Sequence, residues 1–227
     1  MPLSTHILAF LRKLSWEGRL PKNVEVLYPF GDPDVWKVCE AFYGKFYKTG
    51  PRTLMIGINP GRFGAGMTGI PFTDPIRLKD PCGIDNPWPP RQELSSVFMY
   101  EMIRAFGGPE AFYEQFYITS VSPLGFTREG KNLNYYDDPH LQKTLEPFAV
   151  RCLEQQLGWG MNPGVAFCLG GGKNYKYLDQ LNVKHGFFGK IVPLPHPRYI
   201  MQYRLKHKAA HIREYLDAFG AEEISAR

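Results

Sequence analysis

Three segments carry side chains whose types and spacing suit them to chemistry. The first runs Gly57-Ile58-Asn59-Pro60-Gly61-Arg62-Phe63-Gly64-Ala65-Gly66-Met67-Thr68-Gly69-Ile70-Pro71-Phe72. An Asn before Pro-Gly at a strand end is held rigidly, and its amide can grip a water. The glycines let the backbone approach a ligand closely. The second is Pro193-Leu194-Pro195-His196-Pro197-Arg198, where flanking prolines restrict the orientation of an imidazole. The third extends from Lys184 to Arg213, with seven Lys/Arg, no Asp or Glu, and Tyr199 and Tyr203 interleaved. That stretch suits a track for a phosphate backbone. Taken singly, each segment also fits a bland role: a turn, a surface histidine, a solvated helix face.

The elements that must position these groups alternate between helix and strand. Residues 34–48 place Val35, Val38, Phe42 and Phe46 at helical spacing. Short apolar runs at 53–58, 116–121, 164–169 and 190–194 read as buried strands. Helices are expected from Ser95 or Ser96 to Phe106, over 139–157 with a break at Pro147, from Gly172 through Leu181, and from Leu205 to Phe219. A Gly/Pro-rich loop fills Asn59 to about Pro90, a length usually reserved for function. The alternation predicts an α/β fold, a three-layer α/β/α sandwich around a central, mainly parallel four-stranded sheet. Ligands of such sheets gather at the carboxyl ends of the strands. Those ends carry Asn59-Pro60-Gly61, Ser120-Val121-Ser122-Pro123, Gly170-Gly171-Gly172 and Pro195-His196-Pro197-Arg198.

Composition bounds the class. The 227 residues are 44% hydrophobic, 22% charged and 15% aromatic, which excludes disorder, collagen and coiled coil. One domain over 1–227 is expected, with 1–48 a helical region packed on it. A net charge of +5 permits a polyanionic partner. Cys39, Cys82, Cys152 and Cys168 form no C-x-x-C spacing, which argues against a zinc ribbon or iron–sulfur cluster and for reduced packing thiols in the cytoplasm. The N-terminus reads as an amphipathic helix through Ile7, Leu8, Leu11 and Leu14 rather than a leader, and no stretch reads as a membrane span.

The first segment resembles, without a gap, the first motif of the uracil-DNA glycosylases, G-M-N-P-G-P-F-G-x-x-x-T-G-x-P-F, in the single-strand-selective monofunctional (SMUG) branch. The stretch Ser96–Leu124 resembles the family's next helix and strand, and Leu194-Pro195-His196-Pro197-Arg198 its second catalytic motif, H-P-S. The likeness covers roughly residues 50–220. It implies a monofunctional glycosylase that acts on uracil, and on other deaminated or 5-substituted bases, in DNA. No cofactor and no metal are implied, and a monomer, nucleoid-associated when bound to DNA, is expected.

By resemblance, Asn59 positions the water, and Ile58 and Gly61 offer backbone groups and room beside the base. Phe72 stacks on the extruded base, and His196 hydrogen-bonds the uracil O2. Arg198, Tyr199, Tyr203 and Arg204 lie where the family inserts a wedge and grips phosphates. Neither motif holds a lysine, so no Schiff-base lyase step is expected. Gly61 leaves space at uracil C5, which predicts tolerance of 5-hydroxymethyluracil. Two departures stand out. Ser120 occupies the position of the family's uracil-reading Asn, and a hydroxyl is one rotatable group where an amide is donor and acceptor together. The His motif also lacks its Ser-Pro, so an ungapped register would put Leu194, not His196, at the catalytic position. These departures leave room for a weak or inactive DNA-binding relative. A nucleotide-binding loop at Gly170-Gly171-Gly172 has no supporting pattern.

Overall fold

In the computed structural model, residues 1–220 are described. Four parallel strands form the central sheet: β2 (Thr53–Gly57), β3 (Phe116–Ser120), β6 (Val165–Leu169) and β7 (Lys190–Leu194), in the order β3-β2-β6-β7. Gly57 pairs with Ser120, Ile56 with Cys168, and Leu169 with Leu194. All four strands therefore end at one level.

Side-chain alternation along β3 shows the three layers. Phe116 packs on Phe106 and Phe219, contributed by α5 (Leu94–Phe106) and the end of α10 (Lys208–Ala218). Its neighbour Tyr117 faces the other way, onto Tyr47 and Trp159. Tyr47 follows α2 (Pro33–Phe46), which packs against α1 (Leu3–Lys13). The α2 start has a plain cause: Asp32 accepts from the N–H groups of Asp34 and Val35, and Pro33 has no N–H that would need an acceptor. The four cysteines are buried, and burial pushes each thiol up to about 12. They pack; they are not nucleophiles.

The structure departs from the sequence expectation in several places. The region 59–90 is not one loop; it contains α3 (Ala65–Thr68) and α4 (Pro75–Lys79). A further helix, α6, spans Pro109–Gln115. Helix α7 (Pro139–Leu157) runs through Pro147 unbroken. Its buried face, from Leu141 and Leu145 to Phe148, Ala149, Cys152 and Leu153, lies on both sides of the proline and offsets a penalty of about 3 kcal/mol. Helix α8 (Lys173–His185) passes Leu181 and stops at left-handed Gly186. The expected last helix, from Leu205 to Phe219, opens as a 3₁₀ turn at Leu205–His207 and continues as α10, and a further helix, α9 (Pro197–Tyr203), precedes it.

A second sheet was not expected. Strands β1 (Val24–Leu27), β4 (Gly125–Arg128) and β5 (Lys131–Leu133) form an antiparallel sheet in the order β1-β4-β5. Runs of three or four residues are too short for a periodic signal. This sheet presses on the first motif: a Cβ at Gly125 would lie 2.5 Å from the Pro60 carbonyl oxygen. Only glycine admits that approach. Among the described residues, no helix is long and apolar enough to cross a membrane.

Candidate active site

At the carboxyl edge of the parallel sheet opens a cavity of about 1330 Å³. All ten sequence-chosen residues that the cavity could use fall at or near it: Ile58, Asn59, Gly61, Phe72, Ser120, His196, Arg198, Tyr199 and Tyr203 line it, and Arg204 follows directly.

Phe72 sits in an uncommon backbone state for a side chain with bulk, φ 53°. Its neighbours hold it there. Buried Thr68 donates to the Thr73 carbonyl at 2.7 Å and accepts from the Ile70 N–H at 3.3 Å. The Thr73 hydroxyl meets Tyr100, which meets Tyr113, each at 3.0 Å. Asp74 then caps α4 through Arg77 N–H and also accepts from Glu93 N–H. The Phe72 ring lies over the β2–β3 strand ends, with Cε2 3.5 Å from where a Gly57 Cβ would stand and the Ser120 hydroxyl 3.4 Å from the same point.

His196 faces that ring at 5.7 Å between centroids. It is the N-cap of α9: its Nδ1 accepts the Arg198 N–H at 3.2 Å. Burial, and secondly the Arg198 charge, push its pKa down to about 4. The ring is thus neutral near pH 7 with its proton on Nε2, a hydrogen-bond donor. The Tyr215 hydroxyl on α10 donates to the Pro195 carbonyl and steadies the segment. Leu194, by contrast, is buried within β7 against Leu169. The geometry therefore favours the gapped register over the ungapped one.

Asn59 is fixed from outside its own loop. The Tyr135 N–H donates to its Oδ1 at 3.0 Å, and its Nδ2 donates to the Leu133 carbonyl at 3.2 Å. The amide orientation is set, and one Oδ1 lone pair remains for a water. Tyr135 is itself anchored, its hydroxyl donating to buried Asn174, whose Nδ2 donates to the Leu169 carbonyl. Two strand ends and the 133–135 segment are thereby tied together. The hydroxyl of Ser120 opens on the cavity beside Phe72.

Gly61 is less open than the sequence suggested. A Cβ there would stand 3.2 Å from Nδ2 of Asn132, a β5 residue. The basic run also changes. Lys184 pairs with Glu146 and Lys208 with Glu101, while Lys190 lies at the opposite end of its strand from the cavity. What remains at the cavity lip is Arg198 with Tyr199, Tyr203 and Arg204. The Arg204 Nε donates to the Tyr199 hydroxyl, and the two tyrosine rings lie 5.6 Å apart. Across the cavity, exposed Phe63 has two guanidiniums over its ring, Arg91 at 4.0 Å and Arg62 at 4.8 Å from the centroid. Sequence reasoning missed this cluster, because Arg91 is twenty-eight positions from Phe63. Asn132 and Tyr135 were missed too, since no motif marks the short second sheet, and so was Asn174 in the first turn of α8.

The arrangement offers an aromatic floor, a neutral imidazole donor and a fixed carboxamide, with cations and aromatics at the rim. That set suits a planar base whose anionic form must be stabilised.

Residues 45–220 match the family model described as the uracil DNA glycosylase superfamily, and the chain belongs to that superfamily. Within it, the chain is a SMUG-like member. It is 45% identical to Pedobacter heparinus SMUG2 in a crystal structure, at TM-score 0.95, covering 98% of this chain and 99% of that one. Single-strand selective monofunctional uracil DNA glycosylase of Mus musculus is 25% identical over 143 residues, 55% of this chain and 51% of the relative. The Rattus norvegicus counterpart is 26% identical over 160 residues, 61% and 57% of the two chains. The chain thus spans little more than half the length of these curated relatives.

Proposed function

We propose that this protein is a monofunctional DNA glycosylase that hydrolyses the N-glycosidic bond of uracil in DNA, the first step of base excision repair. The observation that carries the reading is the pairing of the Phe72 face with the neutral His196 ring in one cavity.

The target nucleotide leaves the stack and its base lies on Phe72, at a few kcal/mol that a single-stranded or mispaired base largely spares. The C1′–N1 bond then breaks, and the electron pair stays on the base. His196 Nε2–H donates to O2, where negative charge grows, while the sugar becomes cationic. A water on the free Oδ1 lone pair of Asn59 attacks C1′. The water's proton ends on the uracil anion or in solvent, leaving free uracil and an abasic site. The backbone at Ile58 and the Ser120 hydroxyl complete the polar lining. Arg198, Tyr199, Tyr203 and Arg204 hold the strand on one lip, and Arg62, Phe63 and Arg91 on the other.

On this reading the chain acts as one unit, a monomer in the cytoplasm. The inactive-relative alternative loses ground because both Asn59 and His196 reach the cavity. The test is a single-stranded oligonucleotide with one uracil. Free uracil should appear, and the strand should break at that position only after heat or alkali. No uracil release, or breakage without alkali, would overturn the proposal.

A further inference from the structure

Ser120 stands where relatives of this branch would read the base with an amide, so the uracil-versus-cytosine decision needs another donor. The second sheet supplies one. Asn132, in β5, reaches the cavity on the Gly61 side. Its Oδ1 is occupied, accepting the Arg62 N–H at 3.0 Å. Its Nδ2 stands 3.2 Å from the Gly61 Cβ position and meets no acceptor among the described residues. The next residue, Leu133, is bonded to Asn59. Strand β5 is therefore hung from the first motif at two successive positions, and the Asn132 amide can swing only at the expense of the Arg62 bond.

We propose that Asn132 is the specificity-determining residue that distinguishes uracil from cytosine, its Nδ2–H donating to the C4 oxygen of the flipped base. The assignment rests on the function proposed above. With Oδ1 pinned, the amide presents only a donor to the base. Uracil answers with a keto acceptor at C4; cytosine presents an amino donor there, and two donors facing one another lose the bond on both sides. Gly61 is part of the device, because even a methyl group at that position would press on the Asn132 amide at 3.2 Å.

The experiment compares wild type, Asn132→Asp, Asn132→Ala and Ser120→Ala in single-turnover assays. The substrates are matched single-stranded oligonucleotides bearing uracil or cytosine at one site. Asp keeps an acceptor for the Arg62 N–H but turns an acceptor toward the base. The expected result is a uracil rate constant lower by roughly 10- to 100-fold in Asn132→Asp. Its uracil-to-cytosine ratio should fall at least as far. Asn132→Ala should lose uracil activity without gaining cytosine activity, and Ser120→Ala should shift the ratio less than either. Melting curves check that all four chains are folded; Asn132 lies on an exposed edge, so the core is untouched. An active wild type whose ratio is unchanged within twofold in Asn132→Asp overturns this assignment alone. A wild type that releases no uracil overturns the glycosylase reading and this assignment with it.

Discussion

Nδ1 of His196 accepts the backbone N–H of Arg198 at 3.2 Å, so the imidazole caps a helix and chooses its tautomer in one contact. Capping leaves the proton on Nε2 of a ring whose centroid stands 5.7 Å from that of Phe72. A neutral ring can stabilise a base anion by donation, and it does not attract the ground-state phosphates as a cation would.

Replacing His196 by Ala should lower the single-turnover rate on a uracil oligonucleotide by about 10²- to 10³-fold, the usual consequence of losing one anion-stabilising donor. Substrate affinity should change little. Unchanged base release would show that the gapped register of the His motif is wrong.

Acid should weaken the fold through the same ring. The folded pKa of about 4 lies below the ordinary value of 6.5, so the unfolded chain binds the extra proton first. The contribution to stability is complete above pH 6.5 and is lost as pH falls through about 4. The melting temperature of wild type should therefore drop toward that of His196→Asn across this window. Parallel curves for the two proteins would contradict the depressed pKa.

Asn59→Ala should damage both chemistry and stability. It removes the water's acceptor and two hydrogen bonds to the 133–135 segment. We expect base release to fall at least 100-fold, as for other lost positioning groups, and the melting temperature to fall by about 2–8 °C. A lower rate with an unshifted melting temperature would mean that the ties to Leu133 and Tyr135 carry no load.

Strand binding should involve both lips. Arg204→Ala and Arg91→Ala should each weaken binding to an undamaged single strand, irrespective of sequence, and each should reduce the salt dependence by about one unit of slope. Lys184→Ala should not, because Glu146 already engages that ammonium. Equal losses at Lys184 and Arg204 would restore the idea of one continuous basic track.

The parallel sheet and the convergence of its strand ends were readable because they rest on apolar runs of five or six residues and on the general rule for such sheets. Asn59, Phe72 and His196 were readable from motifs, and the cavity unites them. Legibility failed where the determinant was not local. Lys184 and Lys208 looked like part of a track until acids distant in the chain, Glu146 and Glu101, were seen beside them. Pro147 looked like a break because local rules know nothing of the apolar face that holds α7 together. Strand β5 is three residues long, yet it fixes Asn59 and carries Asn132. Gly61 looked like free space because sequence does not show which neighbour fills it.

The missing side chain at position 125 has a further consequence. Even a methyl group there would shove the Pro60 peptide, and with it the water-holding amide one residue back. A mutation at a strand position outside the cleft would then surface as a failure of repair, with every cleft residue intact. Variant surveys confined to the cleft would overlook it.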